Sequence, residues 1–135
     1  MSMSEALQLS VSIARSAERA YAFLAEPSNF PEWATGLGAL RKVGAQWVAA
    51  TPDGPLHVRF SERNLFGVLD HWVSPLSGAD IYIPLRVIAN GAGCELIFTL
   101  FRQPGMRDEK FEADAAWVER DLLNAKKLLE ARSDA

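Results

Sequence analysis

The feature that most constrains the fold is a succession of short segments between residues 40 and 100 in which apolar and polar residues alternate. This period of two is that of a β-strand with one buried face. Turn-forming sequences separate the segments, among them Pro52-Asp53-Gly54 and Asn90-Gly91, the clearest hairpin signal in the chain. We therefore predict six consecutive antiparallel strands, at residues 40–43, 46–50, 56–60, 68–73, 81–87 and 94–100.

Helical segments stand on both sides of this region. Residues 7–13 alternate as a first strand, Ser16 is a candidate N-cap, and a helix then runs as far as Pro27. A very short helix that carries Phe30 and Trp33 follows. Further along, apolar residues recur in alternating steps of four and three, which is typical of a helix that buries one narrow stripe. The stripe consists of Phe111, Ala115, Val118, Leu122, Ala125 and Leu129.

Composition narrows the class of protein. The 135 residues suit one domain, 1–135, with a single core. The single cysteine, Cys94, excludes an internal disulfide and a multi-cysteine metal site, and we predict that it is a small buried residue rather than a nucleophile. The 14 basic and 17 acidic residues give a net charge of −3 and form no basic stripe, which argues against nucleic-acid binding.

The sequence also bears on the location of the protein and on its need for a cofactor. The chain begins without the charged and apolar regions of a signal peptide, and it contains no apolar run long enough for a membrane helix. We therefore expect a cytoplasmic protein without integral membrane association, a metal or another cofactor. Whether it is a monomer or a homodimer stays open.

The order of elements, together with several short motifs, resembles the SRPBCC superfamily. This superfamily includes START lipid-transfer domains, the major birch-pollen allergen and polyketide cyclase/dehydrase-like proteins, and the sequence looks most like a bacterial polyketide-cyclase-like branch. The motifs are SIARSAE at 12–18, FPEW at 30–33, FGVLDH at 66–71, PLRV at 84–87 and FTLFR at 98–102. The resemblance implies an α+β helix-grip fold, with a curved seven-stranded antiparallel sheet around the C-terminal helix. It also implies an apolar cavity between sheet and helix, with an entrance near the short helices.

The register of the strands decides which residues face that cavity. If Asn90-Gly91 is a two-residue turn, Leu85 pairs with Leu96 and Ile83 with Phe98. A loop around Leu76-Ser77 then pairs Asp70 with Ile83. The cavity-facing residues would be Trp33, Phe60, Asp70, Trp72, Ile83, Leu85, Phe98, Leu100, Phe111 and Trp117. The alternative is that most of these side chains simply fill the core.

Asp70 and His71 are the candidate residues for proton transfer. In this register Asp70 is a charge among apolar side chains, so desolvation would raise its pKa and make it an acid or a polar anchor. The alternative is a carboxylate bonded to the backbone or to a basic neighbour. Neighbouring strand residues point to opposite faces, so without a bulge His71 could not form a dyad with Asp70. It would share a face with Tyr82 and, more distantly, Arg86, and this face would point outward or lie under a loop. His57 also points outward, so the two histidines do not form a metal site.

The sequence leaves three functions open. The first is binding of a small apolar molecule, lipid- or polyketide-like, in the internal cavity, with Asp70 as its polar anchor. The second is a cyclase, dehydratase or hydrolase without a metal, which would use Asp70 or His71 for proton transfer. The third is an interaction module that uses an exposed sheet edge and either exposes a large apolar patch or forms a stable dimer.

Overall fold

A computed structural model describes residues 2–35, 40–51, 54–75 and 78–132. The predicted turn residues Pro52, Asp53, Leu76 and Ser77 lie outside this part of the chain. The elements are β1 (Ala6–Ile13), α1 (Ala17–Leu24), a 3₁₀ turn (Pro27–Asn29), α2 (Phe30–Trp33), β2 (Leu40–Val43), β3 (Gln46–Thr51), β4 (Gly54–Phe60), β5 (His71–Ser74), β6 (Ile81–Ile83), β7 (Leu85–Asn90), β8 (Gly93–Phe101) and α3 (Asp108–Ala131). None of the described helices is long and apolar enough to cross a membrane.

The strands form two antiparallel sheets, one of three strands in the order β1-β8-β7 and one of five in the order β2-β3-β4-β5-β6. The α+β helix-grip architecture is confirmed, but the described residues form eight strands in two sheets instead of the predicted seven in one. The predicted strand 81–87 is interrupted at Pro84, because proline has no N–H to donate to a sheet ladder. The predicted N-cap is also confirmed, since the Ser16 hydroxyl accepts a hydrogen bond from the Arg19 amide at 3.2 Å.

The core lies between the three-stranded sheet, α1, α2 and α3. Phe98 is buried there and Ile83 is half-buried against it, as predicted. The helical stripe is buried at Phe111, Leu122, Ala125 and Leu129. Trp117 is 45% exposed, so its assignment to the cavity is wrong. It lies off the stripe, where its indole Nε1 donates to the Thr35 hydroxyl at 3.1 Å.

The predicted register is wrong by two residues between β7 and β8. Asn90 pairs with Gly93 and Leu85 with Phe98, so the turn is Gly91-Ala92. Gly91 has a φ of 57°, which suits glycine at the first central position of a hairpin turn. A shift of two residues keeps every side chain on its predicted face, because strand side chains alternate with a period of two.

Between β5 and β6 the register differs from the prediction by one residue. His71, rather than Asp70, pairs with Ile83, and Trp72 pairs with Tyr82. A shift of one residue reverses the faces. His71 therefore faces the core and is 2% exposed, which corrects the outward position predicted for it. Trp72 was predicted to face the core, and this is wrong. It lies on the outer face with Tyr82, and the two ring centroids are 5.3 Å apart.

Candidate functional site

Asp70 anchors the junction between β5, β6 and β7. Its carboxylate accepts hydrogen bonds from the Leu85 amide at 3.0 Å and from the Tyr82 hydroxyl at 2.6 Å. Arg86 donates to both carboxylate oxygens, from Nε at 2.8 Å and from Nη2 at 2.7 Å. The structure thus shows the alternative interpretation of Asp70, a carboxylate held by backbone and a basic neighbour.

The charge of Asp70 is stabilised by these donors. Burial by itself would raise the pKa of Asp70, but the hydrogen bonds from Arg86, Tyr82 and Leu85 outweigh burial and lower it to about 2. The predicted upward shift is therefore wrong. At neutral pH Asp70 is an anion in an ion pair and has no proton to donate.

His71 is a neutral histidine in the interior. Burial lowers the pKa of His71 to about 4, so its imidazole is unprotonated at pH 7. Its Nδ1 lies 3.2 Å from the Leu69 carbonyl oxygen, the one hydrogen-bonding partner that the described residues give it. A carbonyl oxygen only accepts, so the proton must be on Nδ1. Nε2 then carries a lone pair and is a hydrogen-bond acceptor.

His71 belongs to an aromatic cluster that also contains Phe30, Trp33 and Phe60, and Phe30 contacts the other three rings. The Phe30 ring meets His71, Trp33 and Phe60 edge-on, at centroid distances of 5.3, 5.1 and 5.5 Å. Trp33 is 2% exposed. Its buried Nε1 makes no hydrogen bond with any residue of the described ranges. A buried indole N–H usually finds a partner, so this donor is exceptional.

The aromatic cluster encloses only a small space. Its volume is about 10 Å³, enough for about one water molecule. Of the residues predicted to line a cavity, Trp33, Phe60 and Leu85 border this space. Phe98, Leu100 and Ile83 belong to or pack against the core, and Phe111 lies under the Arg102 guanidinium, 5.6 Å from its ring centroid.

A much larger groove opens on the other side of the 61–70 loop. It measures about 710 Å³ and is bordered mainly by apolar residues of α1, the loop and β7: Ala17, Tyr21, Leu65, Phe66, Val87, Ile88 and Ala89. Leu65 is 98% exposed and Phe66 83%, an unusual position for large apolar side chains. Sequence reasoning did not single out this groove, since only the three-dimensional course of the loop brings its walls together.

Tyr21 lies between the groove and the aromatic cluster and borders both spaces. Its hydroxyl accepts a hydrogen bond from the backbone amide of Asn64 at 2.8 Å. The Asn64 side chain in turn accepts from the amides of Phe66 and Val68, which fixes the loop. Gly67 has a φ of 73°, and a Cβ there would lie 2.2 Å from the Val87 carbonyl oxygen, so the loop passes directly against β7.

Comparisons with known proteins identify the fold. No protein-family model matches the sequence, and no curated protein matches it. Among solved structures, XoxI from Bacillus cereus superimposes with a TM-score of 0.75 and 14% identity, covering 93% of this chain and 96% of that chain. A START superfamily protein from Mycobacterium smegmatis gives 0.68 and 10%, with coverages of 93% and 97%. The di-domain ARO/CYC BexL of the BE-7585A biosynthetic pathway gives 0.74 and 14%, with 97% of this chain matching 48% of that chain. The chain therefore has the helix-grip fold, which it shares with this START superfamily protein and this ARO/CYC protein.

Proposed function

We propose that the protein binds a small apolar molecule, which lies in the groove beside α1 and extends past Tyr21 into the aromatic cluster. The observation that carries this proposal is the shared border at Tyr21. A groove of about 710 Å³ and the much smaller space within the aromatic cluster both border this one side chain. The volume of the groove lies within the range of about 300–1,000 Å³ that is usual for small-molecule sites.

Entry into the interior requires a rearrangement, because the space of about 10 Å³ there holds only about one water molecule. The hydrogen bond between the Tyr21 hydroxyl and the Asn64 amide must open, at a net cost of about 1 kcal/mol. Burial of about 100 Å² of apolar ligand surface in the groove contributes about 2.5 kcal/mol, which exceeds the cost of this one hydrogen bond. The START and ARO/CYC proteins with the same fold support a ligand-binding role over a purely structural one.

The geometry favours binding over catalysis by Asp70 or His71. Asp70 is held as an anion on the outer side by Arg86, and His71 faces the aromatic cluster on the inner side. The two groups thus do not share one cavity, which general acid–base catalysis by the pair requires. A base whose pKa is about 4 is also a weak acceptor of a substrate proton at neutral pH.

A fluorescent apolar probe, N-phenyl-1-naphthylamine, tests the proposal. Ala89 is exposed and borders the groove, so Ala89→Trp fills part of it. We expect the probe to bind the wild-type protein and to bind the variant at least about tenfold more weakly, because the filled groove no longer offers its apolar surface.

Ala22→Trp is the matched control. Ala22 is exposed on α1 but does not border this groove, so the same added bulk leaves probe affinity unchanged. Circular dichroism checks that both variants fold. The proposal fails if the probe does not bind the wild-type protein or binds all three proteins equally.

A further inference from the structure

We propose that the molecule bound by this protein carries a hydroxyl group at its buried end, and that His71 and Trp33 recognise that group. This inference rests on the proposed function and adds the chemical class of the ligand. The ligand hydroxyl would donate a hydrogen bond to His71 Nε2, and Trp33 Nε1–H would donate one to the hydroxyl oxygen.

The tautomer of His71 leaves one ring nitrogen as an acceptor. The Leu69 carbonyl oxygen lies 3.2 Å from Nδ1 and accepts its proton in a hydrogen bond. The lone pair on Nε2 therefore remains available to accept a hydrogen bond. The ring is 2% exposed and neutral, and bulk water does not serve this acceptor freely. A ligand that brings a donor to Nε2 gives this acceptor a partner in a residue that is almost wholly removed from solvent.

Trp33 supplies the complementary group. Its Nε1–H is buried and, within the described part of the chain, has no acceptor. Trp33 and His71 both pack edge-on against Phe30 and both border the same enclosed space of about 10 Å³. This space is therefore bordered by one donor and one acceptor that remain available, since the hydroxyls of its other polar neighbours, Tyr21 and Ser61, already have partners.

A hydroxyl group is the simplest match to this pair, since it donates one hydrogen bond and accepts another. An ether oxygen can accept from Trp33 but has no proton for His71. A hydrocarbon can do neither and leaves both polar groups unpaired. Sites that hydrogen-bond a ligand hydroxyl discriminate strongly against analogues that lack it, for this reason.

Three ligands of similar shape test the inference: 2-naphthol, 2-methoxynaphthalene and naphthalene. At pH 7 we expect the wild-type protein to bind 2-naphthol at least about tenfold more tightly than either analogue, as measured by displacement of N-phenyl-1-naphthylamine. His71→Phe keeps an aromatic ring but removes the acceptor, so the affinity for 2-naphthol should fall to that for 2-methoxynaphthalene. His57→Phe, at an exposed position, should keep the wild-type preference.

NMR of the wild-type protein provides a second test that does not depend on whether His71→Phe folds. The ¹⁵N resonance of His71 Nε2 should shift on addition of 2-naphthol and stay in place with naphthalene. Equal affinities for the three ligands, or a preference that survives in His71→Phe, would overturn the inference while the proposed function stands. If neither naphthalene nor the naphthylamine probe binds, the proposed function itself fails.

Discussion

The buried His71 makes a specific prediction about stability in mild acid. Its pKa falls from 6.5 to about 4 on folding, because burial disfavours the charged imidazolium. As the pH falls below 6.5, the unfolded chain takes up this proton while the folded chain does not. The stabilisation is therefore complete above pH 6.5 and is lost progressively as the pH falls toward 4.

The magnitude follows from the two pKa values. Between pH 7 and pH 5, linkage gives a loss of about 2 kcal/mol in the free energy of unfolding from this single residue. That is a large share of the roughly 5–15 kcal/mol that holds a domain folded. In His71→Phe the residue cannot take up a proton in either state, so this contribution disappears.

Urea unfolding followed by far-UV circular dichroism measures the difference. We expect the wild-type protein to lose about 2 kcal/mol more than His71→Phe between pH 7 and pH 5. His57→Gln, a change at the exposed histidine, should behave as the wild-type protein does. If His71→Phe loses as much stability as the wild-type protein over this range, His71 is not buried as a neutral group, and its role as an acceptor falls with it.

Two further substitutions test the scaffold of the site by urea unfolding. Asp70→Asn should cost about 1–3 kcal/mol at pH 7, because Arg86 loses its carboxylate. The deficit should shrink as the pH falls from 3.8 toward 2, where the wild-type carboxyl itself becomes protonated, and a deficit that persists there would contradict the ion-pair explanation. Gly67→Ala should destabilise by at least about 1 kcal/mol more than Gly44→Ala. Both glycines have positive φ, but only at Gly67 does a Cβ meet backbone, at 2.2 Å from the Val87 carbonyl oxygen, so equal costs would refute the close approach of loop and β7.

Local patterns were sufficient to predict the order of elements and the inner face of the three-stranded sheet. The N-cap at Ser16 depends on one hydroxyl and one amide three residues away. The inward position of Leu85 and Phe98 depends only on a period of two, so it survived an error of two residues in the hairpin. The stripe along α3 is likewise a local pattern, but Trp117, which lies at the flank of that stripe, is 45% exposed.

The candidate site was harder to predict because it depends on long-range contacts. The groove combines α1, the loop and β7, which no local pattern connects. The inner position of His71 depends on one residue of register between β5 and β6, and the alternation around Trp72 was compatible with either face. No sequence signal fixes such a register when both faces carry apolar and polar residues.

The hydrogen bonds to Asp70 account for the register between β5 and β6. The chain resumes as a strand at Leu85, whose amide donates to the Asp70 carboxylate at 3.0 Å. Arg86 and Tyr82 bind the same carboxylate from the outer face of their strands, which draws Asp70 to that side. Since neighbouring residues of an extended chain point in opposite directions, His71 must then face the aromatic cluster. The sequence suggested Asp70 as the acid or polar anchor of the site. Its role in the proposed site is instead to position His71, because its ion pair with Arg86 places the His71 side chain on the side of the proposed ligand.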